Sequence, residues 1–245
     1  MMLWLRRAGL PMGFSLIDLF LLPLIALTVS THEFSHGWVA SKLGDPTAKE
    51  RGRVTLNPLA HLSWKYTLVL PVALYIITLG QFAFGFAKPV PINPFRLRSY
   101  TREWKRPFAD IIWVGLVGPA VNLGIACLLA LVVLSGVIPE TRVGRAVLEI
   151  VYFTILINLL LGMINLLPVP PLDGSRLVIG LLPRRQAMYI LRHELIVFLM
   201  LISTLAAVAI LAGGLDKVVL PPLRWAWGVL GLNPEHINQY FDVGS

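Results

Sequence analysis

The sequence predicts an all-α, multi-pass membrane protein with about four spanning helices, a re-entrant segment and a short membrane-associated β-hairpin. Three observations carry this. Hydrophobic residues make up 56% of the 245, charged residues only 14%, and the mean hydropathy is +0.74, whereas about a quarter of a soluble domain is charged. Uncharged stretches at 66–87, 111–139 and 195–215, with the nearly uncharged 14–32 and 150–172, approach or exceed the roughly 20 residues that cross a bilayer. Lys and Arg gather between them, with five in 42–65, six in 88–106 and four in 174–192, against two in 140–149 and two in 216–245.

Backbone groups in lipid have no water to bond, so each crossing is read as a helix. Met1 to Leu10 carries Arg6 and Arg7 ahead of an apolar segment but no small-x-small cleavage site, which predicts an uncleaved first helix at 14–41. The positive-inside rule places 42–65, 88–106 and 174–192 on the cytoplasmic side, so that helix runs inward. Arg51 to Pro58 reads as the hairpin, its arginines meeting anionic lipid at the membrane surface. The run 66–87 is flanked by cytoplasmic charge on both sides, so it enters and leaves on one side, bending at Pro71, Gly80 and Gly85. Helices 108–137, 147–168 and 193–213 then run outward, inward and outward. The tail sets Trp225 and Trp227 beside Pro221, Pro222 and Arg224, which suits a structural anchor at the external interface. The chain reads as one domain over 1–245, with its core at about 14–180 and a C-terminal helix and interfacial tail at 193–245.

The formal charge of +8 follows from these loops, so the expected partner is the lipid bilayer and not a nucleic acid. Cys127 is the single cysteine and falls in an apolar run, which excludes a disulfide framework and a Cys-rich metal site.

His32-Glu33-Phe34-Ser35-His36 ends the first apolar run. On a helix the two histidines lie roughly 40° apart on one face, and Glu33 projects from the adjacent stripe, within reach of a metal-bound water. A catalytic zinc typically takes three protein ligands and leaves the fourth position to water, so one ligand is missing. Asp173 is the candidate, in Asn165-Leu-Leu-Pro168-Val-Pro170-Pro171-Leu-Asp173-Gly174, where prolines break the inward-running helix and Gly174 permits a tight turn. Under the predicted topology His36 and Asp173 share one depth. Had 66–87 crossed the membrane, something on the order of 20 Å of bilayer would separate them.

Together these residues resemble the site-2 proteases, intramembrane zinc metalloproteases that cleave transmembrane substrates. His32 to Gly37 supplies the His-Glu-x-x-His signature, and Asn165, Pro168, Pro170, Asp173 and Gly174 complete the Asn-x-x-Pro-x-Pro-x-x-Asp-Gly signature, in the expected order. Gly118-Pro119-Ala120-Val121-Asn122 and Gly85-Phe86-Ala87-Lys88-Pro89-Val90 look like features of compact bacterial and archaeal members; the resemblance covers about residues 14 to 180 and leaves no room for PDZ or CBS domains.

The resemblance implies one zinc on His32, His36 and Asp173, with Glu33 as the base that takes the water's proton and returns it to the leaving amine. It also implies that Asn165 donates to the oxyanion or to substrate backbone, and that Gly85 to Asn93 pairs with an extended substrate by strand addition. The expected location is the cell (inner or plasma) membrane, with the site toward the cytoplasm. Asp110 reads as a helix-dipole partner, Asn122 as part of close helix packing among Gly115, Gly118 and Gly124, and His61, His193 and His236 as non-ligands.

Three alternatives remain at this point. A divalent-metal transporter would need acidic or histidine residues at several depths, and apart from Asp18 the polar donors cluster at one level. A non-cleaving relative that binds membrane segments would not need Glu33 to hold zinc. A prenyl-type zinc protease would take a later Glu as third ligand, for which Glu194 is the available residue.

Overall fold

Helix α1 (Leu16–Lys42) runs its full length without a glycine until Gly37, and it stops where glycine makes stopping easy. Gly44 takes φ +103, Gly44 N–H bonds to Ser41 O and Asp45 N–H bonds to Ala40 O, the pairing that closes a helix through a left-handed residue. The computed structural model describes residues 16–62, 69, 72, 88–102, 105–193, 196 and 216–238. Single helical turns α2 (Thr47–Glu50) and α3 (Pro58–His61) follow, then a 3-10 turn (Pro94–Arg96) and α4 (Arg98–Thr101).

The 51–58 segment is not a hairpin. It is a bent loop between α2 and α3, and there is no strand among the described residues. Its Arg-Gly-Arg-Val-Thr alternation suggests a ladder, but Gly52 turns left-handed at φ +63, and Asn57 caps α3 by accepting from Leu59 N–H at 3.1 Å with Pro58 at the first helical position. Arg53 turns inward rather than toward lipid and is buried.

Two long helices make the body. α5 (Asp110–Leu134) and α6 (Arg142–Asn165) are each long and apolar enough to cross a membrane. α6 starts five residues ahead of the expected 147 because Thr141 caps it, its hydroxyl accepting from Gly144 N–H at 3.0 Å. α5 distributes its residues as lipid demands. Its exposed positions include Trp113, Leu128, Leu131 and Leu134, while Gly115, Gly118, Asn122, Ala126 and Ala130 are buried against other helices. α5 packs against both α1 and α6. His36 meets Val114 and His32 meets Asn122, so α5 runs antiparallel to α1. Asn158 Nδ2 donates to Thr28 Oγ1 at 3.3 Å and to Thr154 O at 2.8 Å, a polar tie from α6 to α1.

After α6 come α7 (Gly174–Leu181), α8 (Arg184–Arg192), α9 (Asp216–Val229) and α10 (Pro234–Asn238). Two apolar clusters bracket the middle of the bundle. One joins Ala126, Ala130, Tyr152, Ile155 and Leu156 to Trp227 of α9; the other joins Ala40 and Leu97 to Phe108, Ile111, Val114 and Ile179. The two tail tryptophans therefore differ. Trp225 is exposed, as an interface anchor would be, but Trp227 is fully buried and donates its indole N–H to Asn233 O. The expected re-entrant segment 66–87 and helix 193–213 lie almost wholly outside the described residues.

Candidate metal centre

His32 and His36 sit one turn apart on the α1 face that meets α5. His32 Nδ1 lies 3.3 Å from Asn122 Oδ1, and His36 Nδ1 lies 2.5 Å from the Val114 carbonyl oxygen. Each partner atom is an acceptor, so each Nδ1 carries the proton and donates. In the neutral rings this tautomer leaves both Nε2 atoms as acceptors.

Those two Nε2 atoms stand 3.1 Å apart, and each stands 3.0 Å from Asp173 Oδ2. Three candidate ligand atoms thus converge in a buried space, and with both imidazoles neutral and protonated on Nδ1 they have no proton between them, a repulsion that a cation would relieve. Zinc fits. Its ligand distances of roughly 2.0–2.1 Å to nitrogen and oxygen imply tetrahedral edges of about 3.3–3.4 Å, near those observed, and two imidazoles with a carboxylate leave a fourth position open. This is the one group of three such residues found among the described residues.

Asp173 arrives by a proline-guided return. After α6 ends at Asn165 the chain passes Pro168, Pro170 and Pro171, Leu172 N–H bonds to Val169 O, and Asp173 takes the position before α7. Its second oxygen lies 3.6 Å from Arg176 Nε. Gly174 serves this return differently from the expected turn. Its φ is not positive; instead a Cβ there would stand 2.1 Å from Leu166 O, so only glycine lets the start of α7 lie against the end of α6. Gly115 gives the same clearance on α5, where a Cβ would meet Arg176 Cβ at 2.6 Å.

Glu33 is half-buried beside the cluster and accepts from the Val90 backbone N–H at 2.8 Å through Oε2. Asn165 is not drawn to the three ligand atoms. Its Nδ2 donates to Leu161 O, four residues back on its own helix, at 2.9 Å. His61 bonds through Nε2 to Thr55 O, His193 through Nδ1 to Tyr189 O, and His236 stacks on Tyr152, which leaves all three outside the cluster as expected.

Sequence reasoning assigned packing to Asn122 and Gly118 and a helix-dipole role to Asp110, and each does more specific work. Asn122 is fully buried and holds the His32 tautomer, a partnership 90 residues apart in sequence. Gly118 brings α5 onto both imidazoles, since a Cβ there would stand 2.3 Å from His36 Nε2. Asp110 accepts from Ser99 N–H at 2.8 Å while Ser99 Oγ accepts from Asp110 N–H, so it braces α4 on the start of α5. The Gly-Pro-x-x-Asn spelling at 118–122 was the available signal, but it does not say which histidine the amide meets.

The chain matches the model of Peptidase family M50 over residues 134–208, a span that includes Asp173 and leaves the two histidines outside. It is 34% identical over 197 residues to "Putative zinc metalloprotease YwhC" of Bacillus subtilis, covering 76% of this chain and 83% of that protein. It is also 34% identical over 151 residues to "Putative zinc metalloprotease Rip2" of Mycolicibacterium smegmatis, covering 60% of this chain and 51% of that protein. The Rip2 protein of Mycobacterium tuberculosis is 32% identical over the same length. No solved structure matches the chain.

Proposed function

From the premise that this chain belongs to peptidase family M50, we propose how its residues divide the work of an intramembrane zinc metalloprotease. His32, His36 and Asp173 hold the metal, and Glu33 moves the proton. The observation that carries this reading is the meeting of two histidine Nε2 atoms and one carboxylate oxygen at 3.0–3.1 Å. When bound, zinc lowers the pKa of water toward neutrality and polarises a carbonyl.

Glu33 accepts the proton of the attacking water and later delivers it to the leaving amine nitrogen. The Val90 N–H holds Oε2 of that carboxylate in place. Asn122 and the Val114 carbonyl keep the imidazoles in the ligating tautomer. Asn165 supplies the polar donor for the negative charge that develops on the carbonyl oxygen, a role that requires its amide to leave Leu161 O.

The substrates are transmembrane segments of membrane proteins, cut in or near the bilayer. The site faces the cytoplasmic side of the cell membrane, reached by α1 inward, α5 outward, α6 inward and 193–213 outward, with 66–87 re-entrant. The antiparallel packing of α5 on α1 and the charge in 42–65, 88–106 and 174–192 support this order. Reporter tags after residues 107 and 183 are expected to read cytoplasmic. An external signal from either would overturn the topology.

Replacing Asp173 by Ala is expected to lower bound zinc from about one per chain to near zero, since two imidazoles alone make a poor site. Glu194→Ala keeps the metal. Zinc retained by Asp173→Ala and lost by Glu194→Ala would transfer the third-ligand role.

A further inference from the structure

The segment Lys88–Asn93 (Lys-Pro-Val-Pro-Ile-Asn) lies against α1 beside Glu33 and Gly37. Its conformation has a local cause. Lys88 and Val90 each precede a proline, which steers both toward extended backbone. Its contacts are those of a strap tied down at several points. Lys88 N–H donates to His61 O at 2.8 Å, the Arg53 guanidinium Nη2 donates to Lys88 O at 2.6 Å, Val90 N–H donates to Glu33 Oε2 at 2.8 Å, and Asn93 N–H donates to the fully buried Asp45 carboxylate at 2.6 Å.

The described part of the Gly85–Asn93 stretch expected to pair with substrate has few N–H groups to offer it. In extended chain the N–H groups alternate between two edges. Those of Lys88 and Val90 are engaged, and Pro89 and Pro91 have none on the other edge. What this stretch delivers to Glu33 is the Val90 N–H.

Arg53 stands behind that delivery. It is a cation 8% exposed, in a loop where solvent would be the cheaper home for its charge. Its Nη2 grips the strap two residues from Val90, and its buried Nε has no hydrogen-bond partner among the described residues. Burial pushes the guanidinium below its usual range, and the charge of Glu33 opposes that shift, so the two groups share one electrostatic neighbourhood.

We propose that Arg53 is a positioning residue for hydrolysis, holding the Lys88–Asn93 strap so that the Val90 N–H orients the Glu33 carboxylate. The proposal rests on the reading of Glu33 as the base. Gly37 makes the arrangement tight, because a Cβ there would stand 3.1 Å from Val90 Cγ1 and 3.2 Å from Val54 Cγ2.

The test uses the full chain in liposomes with a transmembrane peptide substrate, reading kcat, KM and zinc content for Arg53→Met, Arg53→Lys and Glu33→Gln. Arg53→Met keeps the aliphatic stem and removes the donor. It is expected to lower kcat on the order of 10–100-fold, as misplacement of a reacting group does, with KM and zinc unchanged; Arg53→Lys recovers part of the loss. A kcat within about twofold of wild type, or a loss confined to KM, overturns the proposal. Should Arg53→Met fail to fold or to hold zinc, Gly37→Ala, which presses on Val90 from α1, decides in the same way: lowered kcat supports the strap and unchanged kcat overturns it. Full activity in Glu33→Gln would instead sink the base assignment, whatever the Arg53 variants do.

Discussion

Glu33→Gln is expected to abolish measurable cleavage of a transmembrane substrate while zinc content stays at about one per chain. Gln is nearly isosteric with Glu, and its amide oxygen can still accept from Val90 N–H, so the strap contact survives the change. The three ligand atoms do not include Glu33, so the metal has no reason to leave. What disappears is the capacity to take up a proton and to give it back. A positioned acid–base group is worth roughly 10²–10⁴-fold, and Glu33 is asked to serve in both directions. Cleavage assays paired with metal analysis on one preparation check this. Persistent cleavage would remove Glu33 from the chemistry. Lost zinc would mean that the carboxylate supports the ligands.

Much of this architecture could be read from residue order because bilayers impose simple rules. Long uncharged runs located α5 and α6 within a few residues, since lipid leaves the backbone little choice but helix. The start of α6 was missed because Arg142 and Arg145 read as loop, whereas Thr141 caps a helix that begins at Arg142. Asp173 was legible for a stronger reason. Its motif breaks one apolar helix at the level where another carries the two histidines, and that shared level brings the three side chains together.

The failures share a cause. Asn122 meets His32, Arg53 meets Lys88 and Asp45 meets Asn93, pairs separated by 90, 35 and 48 residues. Periodicity says which face a residue occupies but not what crosses that face. The 51–58 loop failed for the complementary reason, because an alternating pattern suggests a strand only when a partner strand is there to pair with it. Trp225 and Trp227 stand two residues apart in one segment, yet have opposite burial, because a helix turns positions two apart roughly 200° from each other.

Gly118→Ala is expected to cost the protein its metal, and the direction of that effect is diagnostic. In an ordinary helix interior, Ala is favoured over Gly by about 1 kcal/mol, so a glycine of no special use would gain stability on substitution. Gly124, on the same helix, has nothing within 4 Å of where its Cβ would go, and Gly124→Ala should be neutral or stabilising. At Gly118 the new methyl would stand 2.3 Å from His36 Nε2, 2.6 Å from His36 Cε1 and 2.7 Å from His32 Cε1. These are not loose chain ends. The His36 ring is tied to Val114 O and the His32 ring to Asn122, both on the helix that carries the methyl, so neither ring can retreat without losing the bond that sets its tautomer. Either α5 backs away from α1 or the rings rotate, and both movements part Nε2 atoms that now stand 3.1 Å apart. Loss of such supporting contacts costs roughly 10–100-fold in metal affinity, and direct obstruction of the ligand atoms should exceed that. Competitive zinc titration of Gly118→Ala against Gly124→Ala measures the difference. Equal affinities would mean that α5 does not press on the histidines, and the tautomer argument for the metal centre would fall with it.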